Sequence, residues 1–254
     1  MSRIPEVGRL RGKTRSGRLR LWDGLLALRF ADLVEDGVLE VGVGERPDTL
    51  RELAAALGRA PTAIELHPRR VASAQAETAF EIIEGNALQP PTGAARYGLV
   101  RCANVLRQYP VSELQRAHAA LLAHTTAEGV VLEGSCDAGG NVGCFHVLQR
   151  SGGGSPRAAL VFFSSFARGF APIQFRDWLP RDLRREVRAD GAMADLFARW
   201  TAAWQRVREG DAPTDFRRSV EALVASGPFI DLSHIQSSAA AWMWTPPDGV
   251  PMPR

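Results

Sequence analysis

An acidic residue precedes a pair of closely spaced glycines at the point where a predicted strand gives way to a predicted helix. Glu40, Gly42 and Gly44 are separated by single valines. Glycine in such a turn lets a ligand come close to the backbone because it has no Cβ atom. A Gly-x-Gly pair is weak evidence alone, so its meaning depends on the residues that follow.

Polar residues follow the next three predicted strands as well. Glu65 ends the second strand-like run, and an acidic side chain about twenty residues beyond a glycine turn is suited to accept hydrogen bonds from ribose hydroxyls. Asn86 and Ala87 follow the third run, while Ala103 and Asn104 lie at the end of the fourth. Because the carboxyl ends of parallel strands share one sheet edge, we expect these residues to converge there.

The elements that must position these residues alternate between strand and helix. The predicted elements up to residue 136 are a helix at 21–34, strands at 38–43, 62–66, 80–84, 97–103 and 130–134, and helices at 48–57, 68–79 and 112–123. This alternation predicts an α/β fold with a Rossmann-like, doubly wound and mainly parallel sheet.

The regular alternation of strand and helix ends in the C-terminal half. The predicted elements there are an antiparallel hairpin of 142–149 and 157–163 near the sheet's C-terminal edge, helices at 177–189, 192–208 and 214–225, and a last strand at 239–244. Five of the six tryptophans follow residue 170. They could line a substrate pocket or fill the core, and the four-residue spacing of Trp200 and Trp204 favours the core.

Composition indicates a globular protein with a basic start. The chain has 254 residues, 45% of them hydrophobic, and a net charge of +3. We predict a basic arm at 1–20 and a single domain at 21–254, with a core at 38–136 and a C-terminal region at 137–254. The arm could contact phosphates or be a solvated leader; its basic residues are Arg3, Arg9, Arg11, Lys13, Arg15, Arg18 and Arg20.

Other classes of protein are disfavoured. No apolar run approaches the ~18 residues of a membrane span, and charged residues interrupt 21–34, which makes a poor export signal. A cytoplasmic location is therefore expected. Cys102, Cys136 and Cys144 lack metal-ligand spacing and are expected to be buried thiols. The five histidines show no metal-binding spacing either, so no metal centre is expected.

The succession of turns resembles the class I S-adenosylmethionine-dependent methyltransferases over residues 38–136. The resemblance implies S-adenosylmethionine as the cofactor. It also implies that Glu40 helps to hold the methionine end, that Gly42 and Gly44 make room for it, and that Glu65 holds the ribose. More narrowly, segments 104–109 and 133–137 resemble a little-characterised bacterial subgroup.

The same resemblance implies the rest of the cofactor site. Asn86 and Ala87 would lie beside the adenine, and Asn104 or its neighbour Ala103 near the methyl-bearing sulfonium. Arg46 replaces the usual third glycine; it could pair with the cofactor's carboxylate or be a solvated loop arginine.

Methyl transfer from a sulfonium is an in-line displacement that depends mainly on holding the acceptor near attack distance. A general base helps when the acceptor is a hydroxyl or a protonated amine. Asp137 and His146 are the candidate bases because we expect both on the cofactor side of the sheet, at or just past the fifth strand. Asn104 and Tyr109 could orient the acceptor.

Three functions are compatible with this pattern. The favoured one is a methyltransferase acting on a small molecule. The second is an RNA methyltransferase that uses the basic arm, and the third is a fold relative that binds the cofactor or a partner without catalysis. A nicotinamide-dependent oxidoreductase is disfavoured because its motif requires glycine where Pro47 stands. The oligomeric state is not indicated.

Overall fold

The computed structural model describes residues 15–86, 88, 96–150, 157–188, 191–223 and 229–245. The strands are β1 (Val38–Val41), β2 (Thr62–Glu65), β3 (Ile82–Glu84), β4 (Tyr97–Ala103), β5 (Thr125–Cys136), β6 (Val142–Gln149), β7 (Arg157–Ser164), β8 (Phe229–Asp231) and β9 (Ala240–Trp244). The helices are α1 (Arg20–Arg29), α2 (Ala31–Val34), α3 (Asp48–Leu57), α4 (Pro68–Glu77), α5 (Val111–Ala123), α6 (Ala192–Val207) and α7 (Ala212–Glu221). Short 3-10 helices span Leu106–Gln108, Pro172–Trp178 and Leu183–Arg188.

These strands form one sheet in the order β3-β2-β1-β4-β5-β6-β7-β9-β8. The first five strands are mutually parallel, and Glu40 of β1 lies between Ala63 of β2 and Arg101 of β4. The order reverses at β1 and β4, which opens a crevice at their carboxyl ends. The predicted doubly wound α/β fold is confirmed.

The C-terminal half extends the sheet with antiparallel strands. The predicted β6–β7 hairpin is present, and β6 also pairs antiparallel with β5, so that Cys136 lies opposite Gly143. The sheet continues through β9 to the three-residue β8, which is too short to produce a recognisable sequence pattern. The antiparallel part is therefore larger than the single hairpin predicted.

Three predicted boundaries differ for local physical reasons. The helix at 21–34 divides at Phe30, whose φ of −129° is not helical. The strand predicted at 130–134 begins earlier, at Thr125, because a register shift near Gly129 lets Thr125 pair with Tyr97. The helix predicted at 177–189 is wrong. Pro180 holds Leu179 extended, and one 3-10 helix forms before this pair and another after it.

The core is divided between the two faces of the sheet. On one face, Trp22 of α1 stacks on Phe145 of β6, with ring centroids 4.5 Å apart. In the C-terminal half, Trp200 of α6 and Trp242 of β9 are fully buried and pack around Phe162. These tryptophans therefore fill the core. The three cysteines are free and buried, as predicted. No helix in the described part of the chain is both long and apolar enough to cross a membrane.

Gly98 is required where α2 packs on β4. Here a Cβ atom at Gly98 would lie 2.0 Å from the backbone oxygen of Leu33 and 3.0 Å from the Cβ of Asp36. No side chain fits without separating the helix from the strand.

We predict that Gly98→Ala destabilises the fold by at least about 2 kcal/mol, because backbone must move to admit the methyl group. Gly191→Ala is the control, since a Cβ there meets none of the described residues within 4 Å. It should change the free energy of unfolding by less than about 1 kcal/mol. Chemical denaturation measures both, and equal effects would contradict the packing argument.

Candidate functional site

The turn after β1 contains two glycines in the left-handed conformation, and hydrogen bonds connect it to the end of β2 and the turn that follows. Gly42 and Gly44 have φ angles of 86° and 83°. The backbone amides of Val43 and Gly44 donate to Oε2 of Glu65 at 3.0 and 3.2 Å, and the amide of His67 donates to Oε1 at 3.0 Å. One buried carboxylate therefore joins the two predicted cofactor-binding turns.

Asn104 occupies the corresponding position after β4. Its φ of 62° places a non-glycine residue in the left-handed region, and its Oδ1 accepts from the amide of Cys136 at 3.2 Å. The same oxygen accepts from Nη2 of Arg18 at 3.1 Å. Ala103, the last residue of β4, lies opposite Gly134 of β5. Asn104 therefore lies beside the end of β5.

Arg18 is a member of the site that the sequence did not single out. Besides Asn104, its guanidinium donates to the carbonyl oxygens of Cys136 and Asp137 at 3.0 and 3.1 Å. Its own carbonyl lies so close to the β5–β6 turn that a Cβ at Gly140 would be 1.9 Å from it. The end of the basic arm therefore crosses the carboxyl ends of β4 and β5. Its only sequence signal was the surplus of arginines.

The carboxylate of Glu40 is buried and paired with another side chain of the protein. Its Oε2 accepts from Nε of Arg101 at 2.5 Å, and the same guanidinium pairs with Asp23 of α1 and donates to the carbonyl of Thr49 at 3.3 Å. Burial raises the pKa of Glu40 to about 7 and that of Asp23 to about 6, against the opposing effect of Arg101. Two buried carboxyl groups thus share one cation.

The other predicted cofactor residues have these positions. Arg46 is largely exposed, and its Nε lies 3.4 Å from Asp48. Oδ1 of Asn86 accepts from the amide of Leu88 at 2.9 Å and lies 3.5 Å from the Tyr109 hydroxyl. Ala87 lies outside the described residues.

Asp137, the first candidate base, shapes the β5–β6 turn. Its Oδ1 accepts from the amide of Asn141 at 2.6 Å, and its Oδ2 lies 3.9 Å from Nη2 of Arg168. Asp137 follows β5 directly, at the same edge of the sheet as Asn104. The structure therefore brings Asp137, Asn104 and Arg18 together.

His146, the second candidate base, lies apart from that group. It is opposite Glu133, three residues from Gly143 at the sheet edge, or about 10 Å along the strand. Its Nε2 is 3.3 Å from both carboxylate oxygens of Asp182, a partner that the sequence did not reveal. Burial opposes ionisation of Asp182, but the hydrogen bond and charge of His146 lower its pKa to about 2.

A second histidine–carboxylate pair adjoins the pair of His146 and Asp182. The rings of His118 and His146 meet edge to face, with centroids 5.6 Å apart, and Nε2 of His118 is 3.4 Å from Glu133. These four residues form a cluster between α5, β5, β6 and the turn before the 3-10 helix Leu183–Arg188, in which His118, Glu133 and His146 are buried and Asp182 is partly exposed. Within the described ranges, no three His, Cys, Asp or Glu side chains are grouped so that they could hold a metal ion.

Comparison with known proteins gives no match to a protein-family model and none to a curated protein. Several solved structures show a partial likeness. DesVI from Streptomyces venezuelae is 18% identical over 58% of this chain and 70% of its own, with a TM-score of 0.40. CalS10, an amino pentose methyltransferase from Micromonospora echinaspora solved with bound S-adenosylmethionine, is 21% identical over 61% of this chain and 72% of its own, with a TM-score of 0.40.

The sugar N-methyltransferase KedS8 from a Streptoalloteichus species is 16% identical over 65% of this chain and 71% of its own, with a TM-score of 0.39. KedS8 and CalS10 are both methyltransferases. At TM-scores of 0.39 to 0.40, each likeness covers only part of the fold. The fold assignment therefore rests on the strand order and register of this chain.

The burial of Asp23 and Glu40 makes stability depend on pH. Because the folded-state pKa values of Asp23 and Glu40 are raised, the folded protein keeps protons that the unfolded chain has released. This contribution is full below the ordinary carboxyl pKa of about 4, and it is lost as the pH rises through about 7.

We predict that Glu40→Gln, which removes the higher of the two titrations, shows a smaller fall in Tm than the wild type between about pH 5 and about pH 8. Glu77→Gln, at a half-exposed position on α4, is the control and should follow the wild type. Thermal unfolding across this pH range provides the measurement. Parallel curves for Glu40→Gln and the wild type would show that Glu40 is not a buried, shared proton site.

Proposed function

We propose that this chain is a methyltransferase that uses S-adenosylmethionine to methylate a small molecule. The observation that supports this most is the crevice at the reversal of strand order between β1 and β4. Its glycine turn, Glu65 and Asn104 are each held by specific hydrogen bonds, so that the crevice is preorganised for a ligand. The resemblance in sequence provides the identity of that ligand.

The polar groups at the crevice fit the cofactor. Oε1 of Glu65 accepts from His67, and a carboxylate oxygen can accept two hydrogen bonds, so capacity remains for a ribose hydroxyl. The exposed guanidinium of Arg46 adjoins the glycine turn and suits the cofactor's carboxylate. Gly42 has a further role, since a Cβ there would lie 2.8 Å from Cγ2 of Val105. This glycine therefore also lets the turns after β1 and β4 pack together.

Glu40 acts indirectly in this proposal. The resemblance implies that it contacts the methionine end, but its carboxylate is buried against Arg101. We assign it the role of fixing the start of the glycine turn, which begins two residues later. Contact with the cofactor then falls to Glu65, Arg46 and the groups around Asn104.

When bound, the cofactor supplies an activated methyl group on a sulfonium. The protein's contribution is chiefly to hold the acceptor in line with that group. Asn104 is held by Arg18 and Cys136, and it orients the acceptor at the end of β4. Of the two candidate bases, Asp137 lies at this edge, and its Oδ2 is the group that would take a proton from an acceptor hydroxyl or ammonium.

A small acceptor is favoured over RNA by how this edge is covered. The carbonyl of Trp178 accepts from Oγ of Ser135 at 3.2 Å, and the guanidinium of Arg107 lies 5.6 Å from the Trp178 ring centroid. The 3-10 helix Pro172–Trp178 is thereby held against the end of β5 and the turn after β4. Arg18 of the basic arm points inward to Asn104. RNA binding would instead show affinity that falls steeply with salt.

We predict that S-adenosylhomocysteine stabilises the wild type by roughly 2.7 kcal/mol at 100 times its dissociation constant. Arg46→Ala should weaken its binding by about fivefold, as expected for an exposed ion pair. Arg51→Ala is the matched control, because Arg51 contacts the same Asp48 from within α3. Its dissociation constant should stay close to that of the wild type.

Calorimetry measures these affinities, with NAD as a control ligand that should not bind. Absence of binding by both S-adenosylmethionine and S-adenosylhomocysteine would contradict the proposed cofactor. Unchanged affinity in Arg46→Ala would contradict only the role of Arg46. Methylation of candidate acceptors then tests catalysis separately from cofactor binding.

A further inference from the structure

A second cleft lies away from the glycine turn, between α1, α3 and the loop that follows β8. Its volume is about 700 Å³. Clefts of this size accommodate small organic ligands. Segment 16–18 separates the two places: Ser16 and Gly17 donate to Glu52 in the cleft, whereas Arg18 donates to Asn104 in the crevice.

One wall of the cleft is apolar and firmly built. It includes Leu28 of α1, which is 47% exposed, and Ala55 of α3. Among the described residues, only Leu28 and Ile173 are large hydrophobic side chains with this degree of exposure. The loop after β8 is locked against α1, since a Cβ at Gly24 would lie 2.1 Å from Cδ1 of Ile235.

The floor of the cleft is acidic. Asp23 is 2% exposed; its Oδ1 contacts Arg101, and its Oδ2 is buried without a hydrogen-bond partner among the described residues. Glu52 accepts from Ser16 Oγ at 2.6 Å and from the amide of Gly17 at 2.8 Å through Oε1, while its Oε2 is likewise buried and unpaired. Buried acceptors without donors are rare and call for a missing partner.

The surrounding charges favour a cation as that partner. Arg101 is shared between Asp23 and Glu40, and Glu52 adds a further carboxylate whose charge acts on Asp23. Burial raises the pKa of Asp23, and the charge of Glu52 acts in the same direction. A second cation at the floor would relieve this repulsion. Arg20 and His234 also line the cleft.

We propose that this cleft binds an organic ammonium ion with an apolar body. Its N–H groups donate to Oδ2 of Asp23 and Oε2 of Glu52, and its body covers the wall formed by Leu28 and Ala55. The ammonium group provides the donors that both oxygens lack, and the apolar body removes Leu28 from water. A neutral molecule would supply no compensating charge, and a carboxylate would present acceptors to two oxygens that themselves lack donors.

Three probes with the same apolar body test the proposal: 3-phenylpropylamine, 3-phenylpropan-1-ol and 3-phenylpropionate. Binding to the full chain is followed by NMR at about pH 7.5, where the amine remains protonated. The amine should bind at least about tenfold more tightly than the alcohol. The carboxylate should be the weakest ligand. Equal affinities for the amine and the alcohol would overturn the proposal.

Two variants locate the site. Glu52→Gln should weaken amine binding by about tenfold while leaving the alcohol nearly unchanged. Asp32→Asn, an exposed carboxylate of α2 outside the cleft, is the matched control and should have no effect. Ala55→Phe keeps the acids and fills the cleft from an exposed helix position, so it should weaken all binding. Amine binding that survives both Glu52→Gln and Ala55→Phe would overturn the assignment, whatever the result for the cofactor.

Discussion

The buried guanidinium of Arg101 joins the elements on which the rest of the structure depends. It pairs with Asp23 of α1 and Glu40 of β1 and reaches the carbonyl of Thr49 in α3. A buried charge is tolerated only when it is paired, and removing one partner from such a pair typically costs about 3–5 kcal/mol. The helix before the sheet, the strand that leads into the glycine turn and the helix after it are therefore held in one arrangement.

This arrangement also fixes the positions of the turns that form the crevice. The glycine turn starts two residues after Glu40, and the amides of that turn are bound by Glu65 from the neighbouring strand. On the other side, Arg18 binds Asn104 and the end of β5 just before α1 begins. Charges inside the protein thus set the positions of the groups that we propose face the cofactor.

Local patterns predicted much of this architecture. The bounds of α3 and β4 agree with the sequence prediction because their apolar spacing is regular and turn residues flank them. The position of Glu65 at the end of a strand-like run predicts its place at this edge of the sheet. The partner choices were not predictable: Arg101 inside an apolar strand signals a buried partner, but Asp23 lies far away in sequence. The same holds for Asp182 beside His146, and Pro180 overrode the helical pattern around it.

We propose that Glu40 anchors the glycine turn through Arg101, while Glu65 and the turns around it receive the cofactor. A crystal structure of the protein with S-adenosylhomocysteine tests this most directly. We predict that a ribose hydroxyl donates a hydrogen bond to Glu65, that the adenine lies near Asn86, and that Glu40 is still paired with Arg101. A ligand bound elsewhere, or Glu40 turned away from Arg101 to contact the ligand, would contradict it.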